Sequence, residues 1–229
     1  MIRFLSLNFL VLSAFSLVSC GTSRALTSDI KSSQIDKMLI FNPIVKIDSI
    51  SQGNKHVFNK TESDNVNANV KETIKLLLPK HITLKDAAAD TLQQQIIERE
   101  MFKILTLVER NQSIKNVRIG DTLLQIINTY DCNYAMGVFD GGFYRTKSNF
   151  AGQIGKGIGI GILTFGMFTP VPYKSANSIF CFVIDKNNKN IAFYRKNIAM
   201  DSNPRNKQVV YDQMLNLLMG YFRSPKTKN

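Results

Sequence analysis

Residues Ser178–Tyr194 read Ser-Ile-Phe-Cys-Phe-Val-Ile-Asp-Lys-Asn-Asn-Lys-Asn-Ile-Ala-Phe-Tyr. Two apolar stretches, Ser178–Ile184 and Ile191–Tyr194, flank the polar run Asp185–Asn190. β-Branched and aromatic residues suit a pleated, half-buried surface. Asn and Asp tolerate the backbone angles of a tight turn. The stretch therefore predicts a β-hairpin. Upstream, Asn133–Tyr144 is equally apolar and aromatic and predicts a third strand. If Tyr144 and Arg145 lie across from a strand that starts near Lys174, Cys181 stands opposite Val138, and the same register carries Cys132 to the level of Asn187. At about 3.4 Å per residue the two sulfurs are then roughly 20 Å apart. A disulfide needs Cα atoms within about 7 Å. Both cysteines are expected as free, half-buried thiols.

Working outward, the flanking spacing becomes helical. Thr61–Asp64 opens a helix in which Val66, Val70, Ile74 and Leu77 recur on one face, and Pro79 stops it. A longer helix is expected from about Leu84 to Val108, with Leu84, Ala88, Leu92, Ile96, Ile104 and Val108 as its buried stripe. Asp121 begins a short third helix carrying Leu123, Leu124, Ile126 and Ile127. A last one covers about Asn206–Phe222. Before all of these, Met38–Ile47 is a β-type run in which Pro43 implies an edge or a bulge. Ser51–Lys60 reads as turn. The order β-α-α-α-β-β-β-α predicts an α/β domain, a single mixed sheet flanked by helices. It spans residues 37–222, with a glycine-rich apolar insertion at 151–172 and a basic tail at 223–229.

Composition bounds the class. The chain has 229 residues, 44% hydrophobic and 20% charged, which is globular composition and long enough for one domain with a real core. Lys+Arg 29 against Asp+Glu 17 gives a formal charge of +12. With 2 His and 3 Cys there is little material for a metal cluster or a disulfide framework.

Met1–Ser19 has the form of an export signal: Arg3, then an apolar run from Phe4 to Val18 that is too short for a comfortable membrane span. The run ends in Leu17-Val18-Ser19-Cys20-Gly21, which resembles the bacterial lipobox. The resemblance implies cleavage before Cys20 and lipidation of Cys20, with diacylglycerol on its sulfur and a further acyl chain such as palmitate on the new amino group. Two or more chains anchor stably where one is marginal. Gly at position 21, where Asp would imply inner-membrane retention, implies the outer membrane and a domain on its periplasmic face. Residues 20–36, rich in Ser and Thr, are expected as a lipidated flexible tether.

The opening strand after that tether, the helices, and the passage into Tyr130-Asp-Cys-Asn-Tyr-Ala-Met-Gly-Val-Phe139 together resemble a group of envelope lipoproteins. These share the fold of the TolB amino-terminal domain and include the curli-secretion lipoprotein and penicillin-binding-protein activator lipoproteins. Their late hairpin has the pattern of Phe180–Asp185 and Ile191–Tyr194 here, although this turn lacks the Thr-Gly pair common in the group. The resemblance covers Lys37–Phe222 and implies a periplasmic partner protein or self-association.

Between Ala151 and Pro172 the only charge is Lys156, and Gly157–Pro172 is a run of 16 uncharged residues. Three readings stand: a buried connection that uses glycine for close approach, a membrane-entering hairpin, or a partner-binding surface. In the second and third, Ile158, Ile160, Ile162, Phe165 and Phe168 make the contact, the Gly-Ile alternation placing the isoleucines on one strand face. A phosphate loop is excluded, since Phe150 stands where the first glycine is required and Gly157 where Ser or Thr is required.

Catalytic chemistry is scarce. His56 and His81 have no Cys, Asp or Glu at ligand spacing, so no metal site is expected. Glu98, Glu100 and Glu109 lie among Arg99 and Arg110 and read as a solvated helix face. Asp140 is the one acidic residue set in an apolar strand, and a bulge or strand end accounts for it. The expectation is a non-enzymatic, cofactor-free, lipid-anchored adaptor or assembly component; the alternative is a self-oligomerising secretion or pore component built on the 151–172 hairpin. The basic charge suits anionic lipid. Nucleic acid is not an expected partner of an exported chain.

Overall fold

A computed structural model describes residues 21–152 and 173–223. In chain order its elements are β1 (Gly21–Thr22), β2 (Leu26–Thr27), β3 (Lys37–Ile40), β4 (Ile44–Ser51), β5 (Lys55–Phe58), α1 (Lys60–Leu77), β6 (Thr83–Asp86), α2 (Thr91–Asn111), α3 (Asp121–Thr129), β7 (Tyr134–Arg145), β8 (Ser175–Asp185), β9 (Asn190–Met200) and α4 (Lys207–Leu218). Residues 147–152 are also helical. The strands form one nine-stranded mixed sheet, so the α/β class with a single flanked sheet holds.

β7 is the spine. It pairs antiparallel with β8 from Tyr134↔Asp185 to Tyr144↔Ser175, so Val138 lies opposite Cys181 as the hairpin arithmetic requires. β9 continues the sheet beyond β8. On its other side β7 runs parallel to β3 and then β4. Ile40 faces Met136 and Ile44 faces Phe139, so the three residues Phe41–Pro43 span two on β7. The Met38–Ile47 run is thus one line along β7, bulged at Pro43, where the ring leaves no N–H to complete the ladder. It is also a local edge there, because β6 flanks only Lys37–Ile40 and β5 only Asp48–Ser51, leaving β7 as the strand neighbour of Ile44–Ile47.

Both faces are covered. Val66, Val70 and Ile74 of α1 and Val210, Met214 and Leu217 of α4 pack on Met136, Val138, Cys181 and Val183. Ile97, Met101 and Val108 of α2 and Leu123 and Ile127 of α3 pack on Ala135, Phe139, Phe182 and Ile184. Period-two alternation along β7 and β8 separates the two cores. Gly137 lets the second core close up: a Cβ there would stand 2.5 Å from the Phe182 ring and 2.8 Å from Met101.

Three expectations change. The long helix begins at Thr91, not near Leu84. Asp90 caps it by accepting from the Gln93 N–H, and Thr83–Asp86 pairs parallel with β3. Leu84 and Ala88 fit the helical spacing by coincidence, and the true buried stripe is Ile97, Met101, Ile104 and Val108, leaving Leu92 67% exposed. Ser51–Lys60 holds more than a turn: Gly53, at φ 78°, reverses the chain into β5. The segment expected as a free tether lies along β9, where Gly21 faces Ile198 and Leu26 faces Tyr194. Arg223, the last described residue, donates from its Nε to the Leu77 carbonyl at the end of α1 (2.7 Å).

Candidate functional site

The residues that flank the glycine-rich segment are gathered by one arginine. At the end of β7 the Arg145 backbone N–H donates to the Lys174 carbonyl (2.9 Å) and its Nε to the Tyr173 carbonyl (2.9 Å). Its Nη1 donates to Asn54 Oδ1 (2.8 Å) and Asn149 Oδ1 (2.7 Å). Asn149 is buried and passes the connection on, its Nδ2 donating 2.7 Å to the Ser51 carbonyl. Beyond the segment, the Lys174 N–H donates to the Asp201 carboxylate at 2.9 Å. The planar fork of the guanidinium reaches several acceptors at once, which an ammonium does not. Residues on either side of 153–172 are thereby fixed to the β4–β5 turn and to the end of β9. Ile158, Ile160, Ile162, Phe165 and Phe168 lie outside the described residues, as does Cys20.

The chain's first described residues point to that same end. Gly21 faces Ile198, which faces Ser178, which faces Gly141. Because β1 is antiparallel to β9, its Gly21 end is the one nearer Met200. Gly21 is four positions short of Arg145, about 13 Å along the strands, and three strands away, about 14 Å across. The pairing is secured by side chains. Arg195 Nε donates to the Ser23 carbonyl (2.8 Å) while its Nη1 donates to the Asn216 (2.9 Å) and Met219 (2.6 Å) carbonyls at the end of α4. Tyr221 donates its hydroxyl to the Ile30 carbonyl at 2.9 Å. Nothing in the composition of 21–34 announces this docking; the donors that hold it lie some 170 residues away in sequence.

A polar layer interrupts the core beneath α4. Asn177 Nδ2 donates to Gln213 Oε1 (2.9 Å), Gln213 Nε2 to Asn197 Oδ1 (2.7 Å), and Asn197 Nδ2 to Thr22 Oγ1 (2.6 Å). Gln213, Asn197 and Thr22 also line an open groove of about 470 Å³ with Asp212 and Asn216. This amide chain was not evident from sequence, because each member sits singly among apolar neighbours.

Asp140 lies beside it and corrects the bulge-or-strand-end reading. It pairs mid-strand with Ile179 on one side and Val45 on the other. Its side chain is 1% exposed, and neither carboxyl oxygen has a hydrogen-bond partner of normal geometry. Burial pushes its pKa up to about 7, with the nearby Asn177 amide pulling the other way.

The remaining candidates do not converge. Among the described residues no three His, Cys, Asp or Glu are placed to hold a metal ion. Cys132 and Cys181 are free and buried; burial raises the first thiol's pKa and pushes the second to about 12, against the thiolate that nucleophilic chemistry requires. Glu109, read as solvated, instead accepts from the Tyr194 hydroxyl and from Lys196 Nζ, the latter at 2.6 Å. Burial, then that carboxylate, raises the Tyr194 pKa. No described helix is long and apolar enough to cross a membrane.

No protein-family model matches the chain, and no curated protein matches it. Among solved structures it is similar to a PelC dodecamer from Paraburkholderia phytofirmans, with 8% identity and a TM-score of 0.40 over 86% of this chain and 94% of that one. It is also similar to the LpoB C-terminal domain from Salmonella enterica, with 7% identity and a TM-score of 0.30 over 76% and 87%. A third is lipoprotein GNA1162 from Neisseria meningitidis, with 7% identity and a TM-score of 0.31 over 72% and 80%. Likeness of this degree carries no argument about function, which rests on the chain's own residues.

Proposed function

We propose that the protein is a lipid-anchored envelope lipoprotein, cut before Cys20, acylated there, and facing the periplasm from the outer membrane. In this reading the α/β domain has no catalytic role and no cofactor. It acts as an adaptor or assembly component for another envelope protein. The observation that carries the reading is the direction of the first described strand. Gly21, next in sequence to Cys20, is paired to β9 with its amino-terminal side towards the end of the sheet where Arg145 also fixes the flanks of the glycine-rich segment. A lipid on Cys20 then holds that end towards the membrane and leaves the opposite end, with the β8–β9 turn, for a partner.

The second reading, a self-oligomerising component that inserts the 151–172 hairpin, draws on the same convergence. One experiment separates them. Met1–Cys20 is replaced by a conventional cleavable export signal, and the envelope is fractionated with an alkaline carbonate wash. The adaptor reading expects the acyl-free protein in the soluble or carbonate-released fraction. Carbonate-resistant protein that is lost when residues 152–168 are deleted would establish insertion instead.

A further inference from the structure

We infer that the buried amide chain Asn177–Gln213–Asn197 is a relay that senses whether the Asp140 carboxyl carries a proton and passes that state to Thr22 on the docked amino-terminal segment. The inference is independent of lipidation at Cys20. Asp140 lies opposite Ile179, and Asn177 stands two positions along β8 on the same sheet face, beneath α4. Both carboxyl oxygens of Asp140 and Oδ1 of Asn177 are buried, and among the described residues none has a hydrogen-bond partner. Neighbouring buried acceptors need a proton between them. A neutral Asp140 supplies it by donating its O–H to Asn177 Oδ1. Every later link then points the same way: Asn177 Nδ2 donates to Gln213 Oε1 (2.9 Å), Gln213 Nε2 to Asn197 Oδ1 (2.7 Å) and Asn197 Nδ2 to Thr22 Oγ1 (2.6 Å). Gln213 Nε2 also donates to the Asn177 backbone carbonyl at 3.3 Å.

An ionised Asp140 has no proton to give and requires donors instead. The Asn177 amide meets that need by turning Nδ2 towards the carboxylate. Its Oδ1 then faces Gln213, which turns to donate from Nε2, and Asn197 turns to donate to Gln213 Oε1. Thr22, an acceptor in the first state, becomes the donor in the second, a change that a hydroxyl permits. The two states are not equivalent. In the reversed one Gln213 gives up its bond to the Asn177 carbonyl and brings Oε1 towards that oxygen. Loss of this bond loosens α4 over the sheet, and with it the segment held at Thr22. The charged groups of the flanking elements leave Asp140 alone. Lys46 and Asp48 of β4, Glu62, Asp64 and Lys71 of α1, and Lys207 and Asp212 of α4 all reach solvent. Asp185 of β8 is held by its own turn, and Arg195 of β9 by Ser23 and the end of α4. Only burial and the Asn177 amide act on the Asp140 carboxyl, and they put its change of state at about pH 7.

The test follows the full chain, isotope-labelled and held in detergent micelles, by NMR from about pH 5.5 to about pH 8.5. The Asp140 carboxyl carbon is expected to titrate with a midpoint at about 7. The side-chain amide signals of Asn177, Gln213 and Asn197 and the backbone amide of Thr22 are expected to shift with the same midpoint. The Ser23 amide donates to the Lys196 carbonyl at 2.8 Å, and its protection from hydrogen exchange, corrected for the intrinsic rate, is expected to fall severalfold over that range. Asp140→Asn keeps the shape and removes the titration, so the relay signals are expected to stay flat; any dependence left in that variant belongs to His56 and His81. Gln213→Met, similar in length but without a donor, cuts the chain in its middle. There Asn177 is expected to follow Asp140 still, while Asn197 and Thr22 no longer respond. Should that variant fail to fold, the parent and Asp140→Asn decide between them. A titrating Asp140 with Asn197 and Thr22 unmoved would overturn the inference, as would a carboxyl that keeps one state throughout. So would a response at Thr22 that survives in folded Gln213→Met, or one of equal size in Asp140→Asn.

Discussion

At the residue scale the most informative group is Asp140. A carboxyl that is 1% exposed and without a hydrogen-bond partner of normal geometry favours its neutral form, which is why its pKa rises to about 7 from an ordinary value near 3.8. In the unfolded chain it ionises in the usual range. The native state therefore binds the extra proton between those values. Its contribution to stability is fully present below the unfolded-state pKa and is lost as pH rises through about 7. The whole loss is on the order of 4 kcal/mol. Asp140→Asn removes the titration while keeping the shape. The variant's melting temperature relative to the parent is expected to climb by several degrees between pH 4.5 and pH 7.5, in two matched thermal scans. A difference independent of pH would contradict the assigned burial. The sequence placed Asp140 in an apolar strand but not in its middle, because the residues that fix its position, Val45 and Ile179, come from strands distant in sequence. The same holds for Arg145, whose four side-chain and backbone partners at 54, 149, 173 and 174 carry no local signature.

At the element scale, the terminal strands β1 and β2 cover the outer side of β9. Unpaired edge strands are templates for association, and laying the amino terminus there covers much of this one. Arg195 is the clip, joining Ser23 to the last carbonyls of α4. Arg195→Ala leaves both cores intact and is expected to free residues 21–28. Limited trypsin digestion reads this as cleavage after the exposed Arg24 at least about tenfold faster than in the parent. Unchanged cleavage would mean that the backbone pairing holds the segment without the arginine. Elements with strong local patterns were legible: the β7–β8 register follows from turn placement, and α1, α3 and α4 follow from periodicity and caps. Those that failed did so for nameable reasons. β6 is a four-residue strand whose Leu84 matched the phase of the helix after it, and β5 is exposed throughout, so neither carries an apolar alternation. The docked amino terminus is polar and is held almost wholly by backbone bonds and remote side chains.

At the scale of the whole molecule, the two cores make the sheet self-sufficient. α1 and α4 cover one face, while α2 and α3 cover the other. What is left for function is distributed by polarity along the strands. One end carries the flanks of residues 153–172 and is the one towards which Gly21 opens β1; the other carries the β8–β9 turn. This polarity was not legible in the sequence, where the lipobox-like stretch and the glycine-rich stretch are more than 130 residues apart. Antiparallel pairing of β1 with β9 and of β7 with β8 turns Gly21 and the flanks of residues 153–172 towards one end.

The central claim is that Cys20 is the first residue of the mature protein and carries lipid. Mass spectrometry of the amino-terminal peptide from the membrane-extracted protein tests it most directly. The account predicts a peptide that begins at Cys20 and carries a diacylglyceryl thioether and an amide-linked acyl chain. An amino terminus that begins elsewhere, or an unmodified Cys20 thiol, would contradict it.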